Sequence, residues 1–241
     1  MLSLIGIGLS DPSDITLKGL ALVKKSDKVY IENYTSKLQC TFTDLESLYG
    51  KNITPVEREF VENASILLQE AKEKNIVLLI IGDPFSATTH IDLLLQANAL
   101  DILTNIVHNA SILTAVGITG LQLYKFGKVT SIPFENKNVK TPIEVYKGNK
   151  KLGMHTLFLL DLRPEENEFL TIGEACKYLI SKRISKETQA IGCARIGSES
   201  QIIKVGTLES LQILDFGHAP YCIIIPGPLH FMEEEALKEW R

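Results

Sequence analysis

The feature that most constrains this chain is a regular alternation of short apolar runs with longer segments of helical period. The runs at 2–7 and 76–81 are rich in Leu and Ile, whereas apolar residues in the segments between such runs recur every three or four positions. The run at 76–81 is apolar throughout, which is typical of a central strand that helices cover on both faces. The alternation predicts an α/β fold with mainly parallel or mixed sheets and flanking helices.

Candidate elements fill the chain and divide it into two parts. Expected strands lie at 2–7, 28–31, 53–56, 76–81 and 105–108, and later at 129–132, 156–160, 190–194, 202–205 and 222–225. Expected helices lie at 16–25, 43–49, 57–74, 89–100, from 111 onward, and at 172–182 and 229–240, with a loop at 163–166. The polar stretch at 133–140 has no helical stripe, so we expect a boundary just before it and two α/β domains, 1–126 and 127–241.

Charge and hydropathy exclude several classes of protein. The 241 residues include 25 Lys+Arg and 29 Asp+Glu, for a net charge of −4 without a basic tract, so we expect no nucleic-acid partner and no membrane binding. The longest unbroken apolar run, 76–81, is far shorter than the roughly 20 residues of a membrane-spanning helix. Residues 1–6 lack a basic segment, and Asp11-Pro12 follows, which predicts a first strand and not a signal peptide.

No residue spacing is typical of a metal site. The four cysteines form no C-x-x-C pair, and the five histidines show no H-E-x-x-H spacing. We therefore expect no bound metal, and we expect reduced, mostly buried thiols in a cytoplasmic protein. The sequence also lacks a P-loop and a G-x-S-x-G nucleophile elbow.

Glycine-marked loops follow the first and fourth expected strands, at the strand ends where open α/β sheets bind ligands. Gly6 and Gly8 form a G-x-G loop, but Asp11 replaces the third glycine of a dinucleotide fingerprint, and so short a motif is more often a tight turn. The loop at 82–90 begins with Gly-Asp-Pro, and its Asp83 is the better functional candidate. A helix cap is the simpler explanation of the other polar residues there, Thr88, Thr89 and His90.

The segment after the fifth expected strand contains Gly117 and Gly120, which fall inside an expected helix. Each interior glycine costs up to about 1 kcal/mol relative to alanine, so the pair indicates close packing of the helix on its sheet or close approach of a ligand. The acidic run at 233–235 is expected at the start of the last helix, where it favours the helix dipole.

Longer motifs extend over essentially the whole chain, at 5–9, 14–20, 32–36, 82–90, 108–112, 115–117, 120–127, 154–157, 160–161 and 194–197. Together they resemble the diphthine synthase family, in the tetrapyrrole-methylase-like class of S-adenosylmethionine (SAM) methyltransferases. The motifs at 108–112 (HNASI) and 121–127 (LQLYKFG) look closer to the eukaryotic, methyl ester-forming members than to the archaeal ones.

The resemblance implies two α/β domains with SAM held in the cleft between them, usually in a homodimer. By motif position, the SAM-binding residues of the family correspond to Leu9, Asp83, Ser86, Ser111, Ile112, Leu160, Ile196 and Tyr221. Family members carry His where this chain has Tyr221, so a main-chain contact would survive there but a side-chain contact would change. The segment at 161–170 is also shorter than in eukaryotic relatives.

The implied reaction is methyl transfer from SAM to the modified histidine of elongation factor 2, on the route to diphthamide, with S-adenosylhomocysteine as product. The amine is trimethylated and, in eukaryotic members, a carboxylate is also esterified. The sulfonium is a strong electrophile, so much of the catalysis can come from holding the nucleophile in line and excluding water. No general base is identified. Candidates for carboxylate binding or substrate guidance, each also explicable as structural, are Tyr34, Tyr124, Lys125 and Arg195.

Other functions share some of these features. A small-molecule tetrapyrrole methyltransferase is the chief rival. A NAD-dependent oxidoreductase would share the G-x-G loop and could use Glu32 for its ribose, but Asp11 interrupts the fingerprint. A scaffold without cofactor would have broken loops, whereas these are intact. We therefore expect binding of SAM and S-adenosylhomocysteine, no binding of NAD, and loss of cofactor with a largely intact fold when valine replaces Gly8 or Gly82.

Overall fold

A computed structural model of the chain describes residues 1–86 and 90–241. The strands are β1 (Leu2–Gly6), β2 (Lys28–Glu32), β3 (Ile53–Val56), β4 (Ile76–Ile80), β5 (Thr104–Val107), β6 (Thr130–Ile132), β7 (Thr156–Leu160), β8 (Leu162–Arg163), β9 (Glu168–Phe169), β10 (Gln189–Ala194), β11 (Ile202–Thr207) and β12 (Tyr221–Ile225). The helices are α1 (Leu17–Lys25), α2 (Phe42–Tyr49), α3 (Arg58–Asn63), α4 (Ser65–Glu73), α5 (Ile91–Ala99), α6 (Ile112–Ala115), α7 (Thr141–Lys151), α8 (Ile172–Ser181), α9 (Leu208–Leu211) and α10 (Phe231–Lys238). Within these described ranges, no helix is long and apolar enough to cross a membrane.

The chain forms two compact units, Met1–Leu113 and Thr114–Arg241. Each has its own sheet with flanking helices, and the predicted α/β fold with two domains is confirmed. We expected the division between residues 126 and 127, whereas residues 114–126 are grouped with the second unit in the structure.

The sheet of the first unit consists of five parallel strands in the order β3-β2-β4-β1-β5. The side chains of β4 alternate between two buried clusters. Ile76, Leu78 and Ile80 pack with residues of α3, α4 and α5, whereas Val77 and Leu79 pack with residues of α1 and α2. The unbroken apolar run therefore corresponds to a central strand with helices on both faces, as predicted.

The carboxyl ends of β4, β1 and β5 lie side by side, because β1 is hydrogen-bonded to both of the other strands. From β1 the chain first builds β2 on one side of β1, and it later reaches β5 on the other side. This change of direction is the topological switch point at which open α/β sheets bind ligands. The loops that follow these three strands therefore form the first candidate site.

The second unit contains a mixed sheet in the order β11-β10-β12-β7-β6. Strands β6 and β7 pair in parallel, and the other neighbours pair antiparallel. Buried side chains of α7, α8 and α9 form the core against this sheet, including Tyr146, Cys176 and Leu211. The loop expected at 163–166 is the turn of a small antiparallel hairpin made by β8 and β9.

Two helix predictions are wrong. The helix expected at 57–74 is divided into α3 and α4 by Ala64, which is fully buried and has a left-handed φ of 50°. The helix expected from 111 onward is only the short α6, followed by a 3₁₀ turn (Val116–Thr119). Gly120 ends this turn with a φ of 89°, so it does not lie in a helix interior.

The predicted close packing at Gly120 is nevertheless present. A Cβ atom at Gly120 would lie 2.2 Å from Cβ of Ala236 on α10, so only glycine fits between the turn and the helix. Helix α7 was not predicted, because few of its residues are buried and its sequence includes Gly148.

Candidate cofactor site

The loops after β1 and β4 are joined through two glycines. The amide of Gly82 donates to the carbonyl of Gly8 at 2.7 Å, and the amide of Gly8 donates back to Gly82 at 3.4 Å. Both glycines have positive φ, 80° for Gly8 and 85° for Gly82, which L-residues with a side chain rarely adopt. The two loops therefore hold a fixed backbone geometry at the switch point of the sheet.

The Asp14 carboxylate organises the loop after β1. Its Oδ2 atom accepts hydrogen bonds from the amides of Leu9 at 3.1 Å and Ser10 at 2.8 Å. Asp14 does not cap the following helix, since Thr16 is the N-cap of α1 and accepts from the amide of Gly19 at 3.0 Å. Asp14 instead fixes the position of Leu9, one of the residues that the family resemblance assigns to SAM.

Asn109 joins the loop after β5 to the loop after β1. Its side-chain amide donates to the carbonyl of Gly6 at 3.0 Å and to the carbonyl of Asp14 at 2.9 Å, and its Oδ1 accepts from the amide of Ala110 at 2.7 Å. All of its side-chain polar groups are thus used inside the loop cluster. The sequence contained Asn109 only as part of a motif, and no local pattern predicted this connecting role.

Asp83 connects the loop after β4 to the loop after β5. It is 7% exposed and accepts hydrogen bonds from the amides of Phe85 at 3.0 Å and Asn109 at 3.1 Å, and from Ser86 Oγ at 3.1 Å. Its Oδ2 also lies 2.7 Å from Nδ1 of His108. Burial raises the pKa of Asp83, but these hydrogen bonds outweigh burial and hold the pKa below its ordinary value. The carboxylate therefore stays ionised.

Ser111 and Ile112 begin the segment that follows this cluster. Ser111 is buried, and its hydroxyl accepts a hydrogen bond from the amide of Leu113 at 3.2 Å. Ile112 is half-buried at the start of α6. The first unit therefore brings Leu9, Asp83, Ser86 and Ser111 onto loops that adjoin at one sheet edge.

The cluster leaves open space beside Gly82. Among the described residues, a Cβ atom added to Gly82 would have one neighbour within 4 Å, the carbonyl oxygen of Ala110 at 3.8 Å. By contrast, a Cβ at Gly8 would lie 2.4 Å from Cβ of Asp14, and a Cβ at Gly6 would lie 2.5 Å from the oxygen of Gly82. The backbone at Gly82 thus borders an open space among the described residues, which we call the cradle. The expectation that valine at Gly8 preserves the fold is wrong, because that side chain would collide with Asp14.

In the second unit, the three residues assigned to SAM lie at strand ends. Leu160 ends β7 and Ile196 follows β10, and both are buried at 6% exposure. Tyr221 begins β12 opposite Ala194, and its phenol donates to the carbonyl of Gly217. Burial raises the pKa of Tyr221, so the phenol remains a neutral donor.

The four candidates for carboxylate binding occupy different environments. Arg195 is 4% exposed and donates to backbone carbonyls of Ser200, Phe216 and His218, which makes it structural. Lys125 contacts Glu233 and donates to the carbonyl of Pro228 at 2.8 Å. Tyr34 packs against the Arg58 guanidinium at 5.2 Å, and Tyr124 is 78% exposed.

A buried pair lies at the carboxyl end of β2. Oε2 of Glu32 is 3.0 Å from Nε2 of His90, and both side chains are at most 2% exposed. Glu32 also accepts a hydrogen bond from the hydroxyl of Thr35. His90 occupies the N-cap position of α5, as predicted, but its side chain makes no capping hydrogen bond. Thr88 and Thr89 lie outside the described residues.

The described residues contain no candidate metal centre. Across residues 1–86 and 90–241, no three His, Cys, Asp or Glu side chains are arranged to hold an ion.

Comparison with known proteins identifies the family. The family model described as "Tetrapyrrole (Corrin/Porphyrin) Methylases" matches residues 1–212. The chain is 47% identical to "Diphthine synthase" of Methanocaldococcus jannaschii, covering 99% of this chain and 98% of the relative. It is 41% identical to "Probable diphthine methyl ester synthase" of Arabidopsis thaliana, covering 100% and 98%. A crystal structure of diphthine synthase superposes with a TM-score of 0.94 at 42% identity, covering 99% of this chain and 95% of that one. The chain therefore belongs to the diphthine synthase family of the tetrapyrrole methylases.

Proposed function

We propose that this protein is a SAM-dependent methyltransferase of diphthamide biosynthesis that methylates the modified histidine of elongation factor 2. The observation that carries the proposal is identity of 41–47% with diphthine synthases along nearly the whole chain. The open cradle at Gly82, at the switch point of a parallel sheet, supports a bound cofactor at that place.

The proposed cofactor contacts are the eight residues implied by the family motifs. In the first unit they are Leu9, Asp83, Ser86, Ser111 and Ile112, and in the second unit Leu160, Ile196 and Tyr221. The side-chain oxygens of Asp83 are occupied by the loop cluster, so we assign its cofactor contact to the main chain. The phenol of Tyr221 is similarly occupied by Gly217, so a main-chain contact is proposed there as well.

When bound, the cofactor supplies an activated methyl group on a sulfonium. The protein contributes by holding the acceptor in line with that methyl group and by excluding water, effects worth up to several kcal/mol. The loops after β1, β4 and β5 suit this task, because hydrogen bonds within the protein itself join and orient them. S-adenosylhomocysteine is the expected product.

The proposal includes three methylations of the acceptor amine and one methyl ester on its carboxylate. The ester rests on the motifs at 108–112 and 121–127, which look closer to eukaryotic members. Whole-chain identity is higher to the Methanocaldococcus protein, at 47%, than to the Arabidopsis protein, at 41%. Product mass, not similarity, is therefore the decisive measurement for the ester.

We further propose a homodimer in the cytoplasm. The four cysteines are free thiols, and three of them are buried, which suits a reducing compartment. Light scattering on the purified protein would measure a mass of about twice the 26.8 kDa of one chain if the dimer forms.

The test of the function is mass spectrometry of elongation factor 2 that carries the unmethylated intermediate, after incubation with enzyme and SAM. We expect mass gain on the modified histidine in methyl increments. No gain there, together with turnover of a tetrapyrrole, would assign the chain to the rival small-molecule methyltransferases. Amine methylation without the final ester would contradict only the ester.

Ligand binding gives an independent check. A ligand that binds only the folded state stabilises it by about 2.7 kcal/mol at a hundredfold excess over Kd. We expect S-adenosylhomocysteine to raise the Tm and NAD to leave it unchanged. Stabilisation by NAD alone would favour an oxidoreductase.

A further inference from the structure

We propose that His108 is the general base of the methylation, accepting the proton of the acceptor amine on Nε2 while Asp83 orients its ring. This inference rests on the proposed function, since it assigns the missing proton acceptor of that reaction. It concerns a pair of side chains at the edge of the loop cluster, where β5 ends.

The geometry of the pair is that of a carboxylate-oriented histidine. Nδ1 of His108 lies 2.7 Å from Oδ2 of Asp83. The Asp83 side chain is 8% exposed, whereas the His108 side chain is 69% exposed. The pair therefore has a buried end that fixes the ring and an exposed end that a substrate can reach.

The ionisation of Asp83 sets the tautomer of His108. Burial raises the pKa of Asp83, but hydrogen bonds from Phe85, His108, Asn109 and Ser86 bring the pKa below its ordinary value, so the carboxylate is only an acceptor. Nδ1 of His108 must then donate its hydrogen, which leaves the lone pair on Nε2. Among residues 1–86 and 90–241, no hydrogen bond engages Nε2 of His108.

The surroundings of the ring contain one charged contact within the described parts of the chain, Asp83 on the loop after β4. The ring of Phe85, from the same loop, meets His108 edge-on with a centroid distance of 6.1 Å. The adjacent carboxylate can hold the ring in place while Nε2 exchanges a proton with the substrate.

The pair belongs to the same loops that frame the open cradle. Asp83 follows Gly82 directly, and Ala110, two residues after His108, supplies the carbonyl oxygen 3.8 Å from a Cβ placed on Gly82. A ligand in this cradle would therefore lie beside the β5 exit loop that carries His108. The hydrogen bonds of Asn109 to Gly6 and Asp14 hold that loop in place.

The chemistry requires such a base because a protonated amine has no lone pair. Nε2 of His108 accepts one proton from the acceptor ammonium group. The freed nitrogen lone pair forms the N–C bond to the methyl carbon, the C–S bond breaks with its electron pair retained on sulfur, and a neutral thioether leaves. The exposed imidazolium returns its proton to water. Three methylations release three protons by this route, whereas esterification of a carboxylate needs no deprotonation.

The test compares His108→Asn with wild type, using SAM and elongation factor 2 that carries the unmethylated intermediate. Asparagine can keep a donor near the Nδ1 position for Asp83 but has no basic nitrogen. We expect unchanged affinity for S-adenosylhomocysteine by calorimetry and a loss of about 100-fold or more in the single-turnover rate of amine methylation near neutral pH. The matched control is His230→Asn, which alters an exposed histidine in the second unit and retains a helix-capping side chain.

The pH dependence separates a base from a structural residue. If His108 removes the proton, the deficit of His108→Asn shrinks as pH rises and the amine deprotonates in solution. Added imidazole should also partly restore His108→Ala. A deficit that is equal at all pH values and is not restored by imidazole would overturn the base role.

The inference and the proposed function can fail separately. Amine methylation by His108→Asn at the wild-type single-turnover rate would overturn the base role and leave the methyltransferase intact. Absence of methylation by the wild-type protein, with S-adenosylhomocysteine still bound, would overturn the acceptor and with it this role for His108.

Discussion

Asp83–His108 in the first unit and Glu233–His155 in the second are carboxylate–histidine pairs with similar contacts and different exposure. Asp83 and Glu233 are both buried, and each accepts two backbone amides and one histidine nitrogen. In the second unit, however, His155 is fully buried and its other nitrogen, Nδ1, accepts from the amide of Gly227 at 2.9 Å. His108 instead exposes 69% of its side chain.

Exposure of the second ring nitrogen is therefore the difference that matters. Burial lowers the pKa of His155 more than Glu233 raises it, so this ring stays neutral, and both of its nitrogens are engaged within the fold. Such a pair holds β7, the 226–228 loop and α10 together but has no free site for a substrate proton. The Asp83–His108 pair has one, which is why we assign it to catalysis.

The largest expected effect concerns the buried pair of the second unit, Glu233 and His155. Glu233→Ala removes the acceptor of Lys125, His155 and the amides of Gln122 and His230. We expect a loss of about 3–5 kcal/mol in the free energy of unfolding, measured with urea, because a buried partner is left unpaired. Glu234→Ala is the control, since Glu234 is exposed on the same turn and its loss should change stability little. Equal effects would contradict the structural role of Glu233.

The stability of the protein at acid pH should also depend on the Glu233 carboxylate. Burial raises the pKa of Glu233, but hydrogen bonds from His230, Lys125, Gln122 and His155 bring it from 4.5 to about 2. A carboxyl with a lowered folded pKa stabilises the fold above its unfolded pKa, and this contribution is lost as pH falls through the folded value. The loss is about 3 kcal/mol between pH 4.5 and 2. We expect the stability difference between wild type and Glu233→Gln to shrink over that range. A difference independent of pH would contradict this pKa.

A third prediction tests the open cradle. Gly82→Val fills the space beside Ala110, so we expect affinity for S-adenosylhomocysteine to fall by about 100-fold or more, equivalent to about 2.7 kcal/mol. Valine at the positive φ of position 82 also adds backbone strain of about 1–2 kcal/mol. Gly50→Val is the matched control, because Gly50 lies at the end of α2 with a φ of 68° and no described atom within 4 Å of a new Cβ. Calorimetry that finds the same affinity in both variants would rule out a cofactor at Gly82.

The smallest expected effect concerns Asp83. Asp83→Asn keeps one side-chain acceptor but weakens the hydrogen bonds that join the loops after β4 and β5. We expect about a tenfold loss of affinity for S-adenosylhomocysteine, or about 1.4 kcal/mol, through displacement of the loop backbone. Unchanged affinity in calorimetry would show that the loop holds its geometry without this carboxylate.

Local patterns were sufficient for most strands and for the glycine-marked loops at their ends. The expected strand at 53–56 has the observed bounds, and the expected strand at 76–81 differs from β4 by one residue. In each strand, buried and branched side chains form an alternating or continuous pattern over a few neighbouring residues. Such a pattern can be recognised from a short stretch of sequence. The break at Ala64 was missed because nothing in Asn63-Ala64-Ser65 marks a helix end as glycine or proline does.

The α/β class, the central β4 and the glycine loops followed from periodicity and from glycine punctuation, which are local properties of the chain. The roles of individual polar residues did not follow from such local properties. Asp83 meets His108 and Asn109 across 25 and 26 positions, and Glu233 meets His155 across 78. Only the tertiary fold brings such partners together and decides which histidine is buried, because burial depends on packing by elements distant in sequence. The eight residues assigned to SAM remain a prediction from the family motifs, whereas the contacts of Asp14 and Asn109 that hold their loops became visible only in the structure.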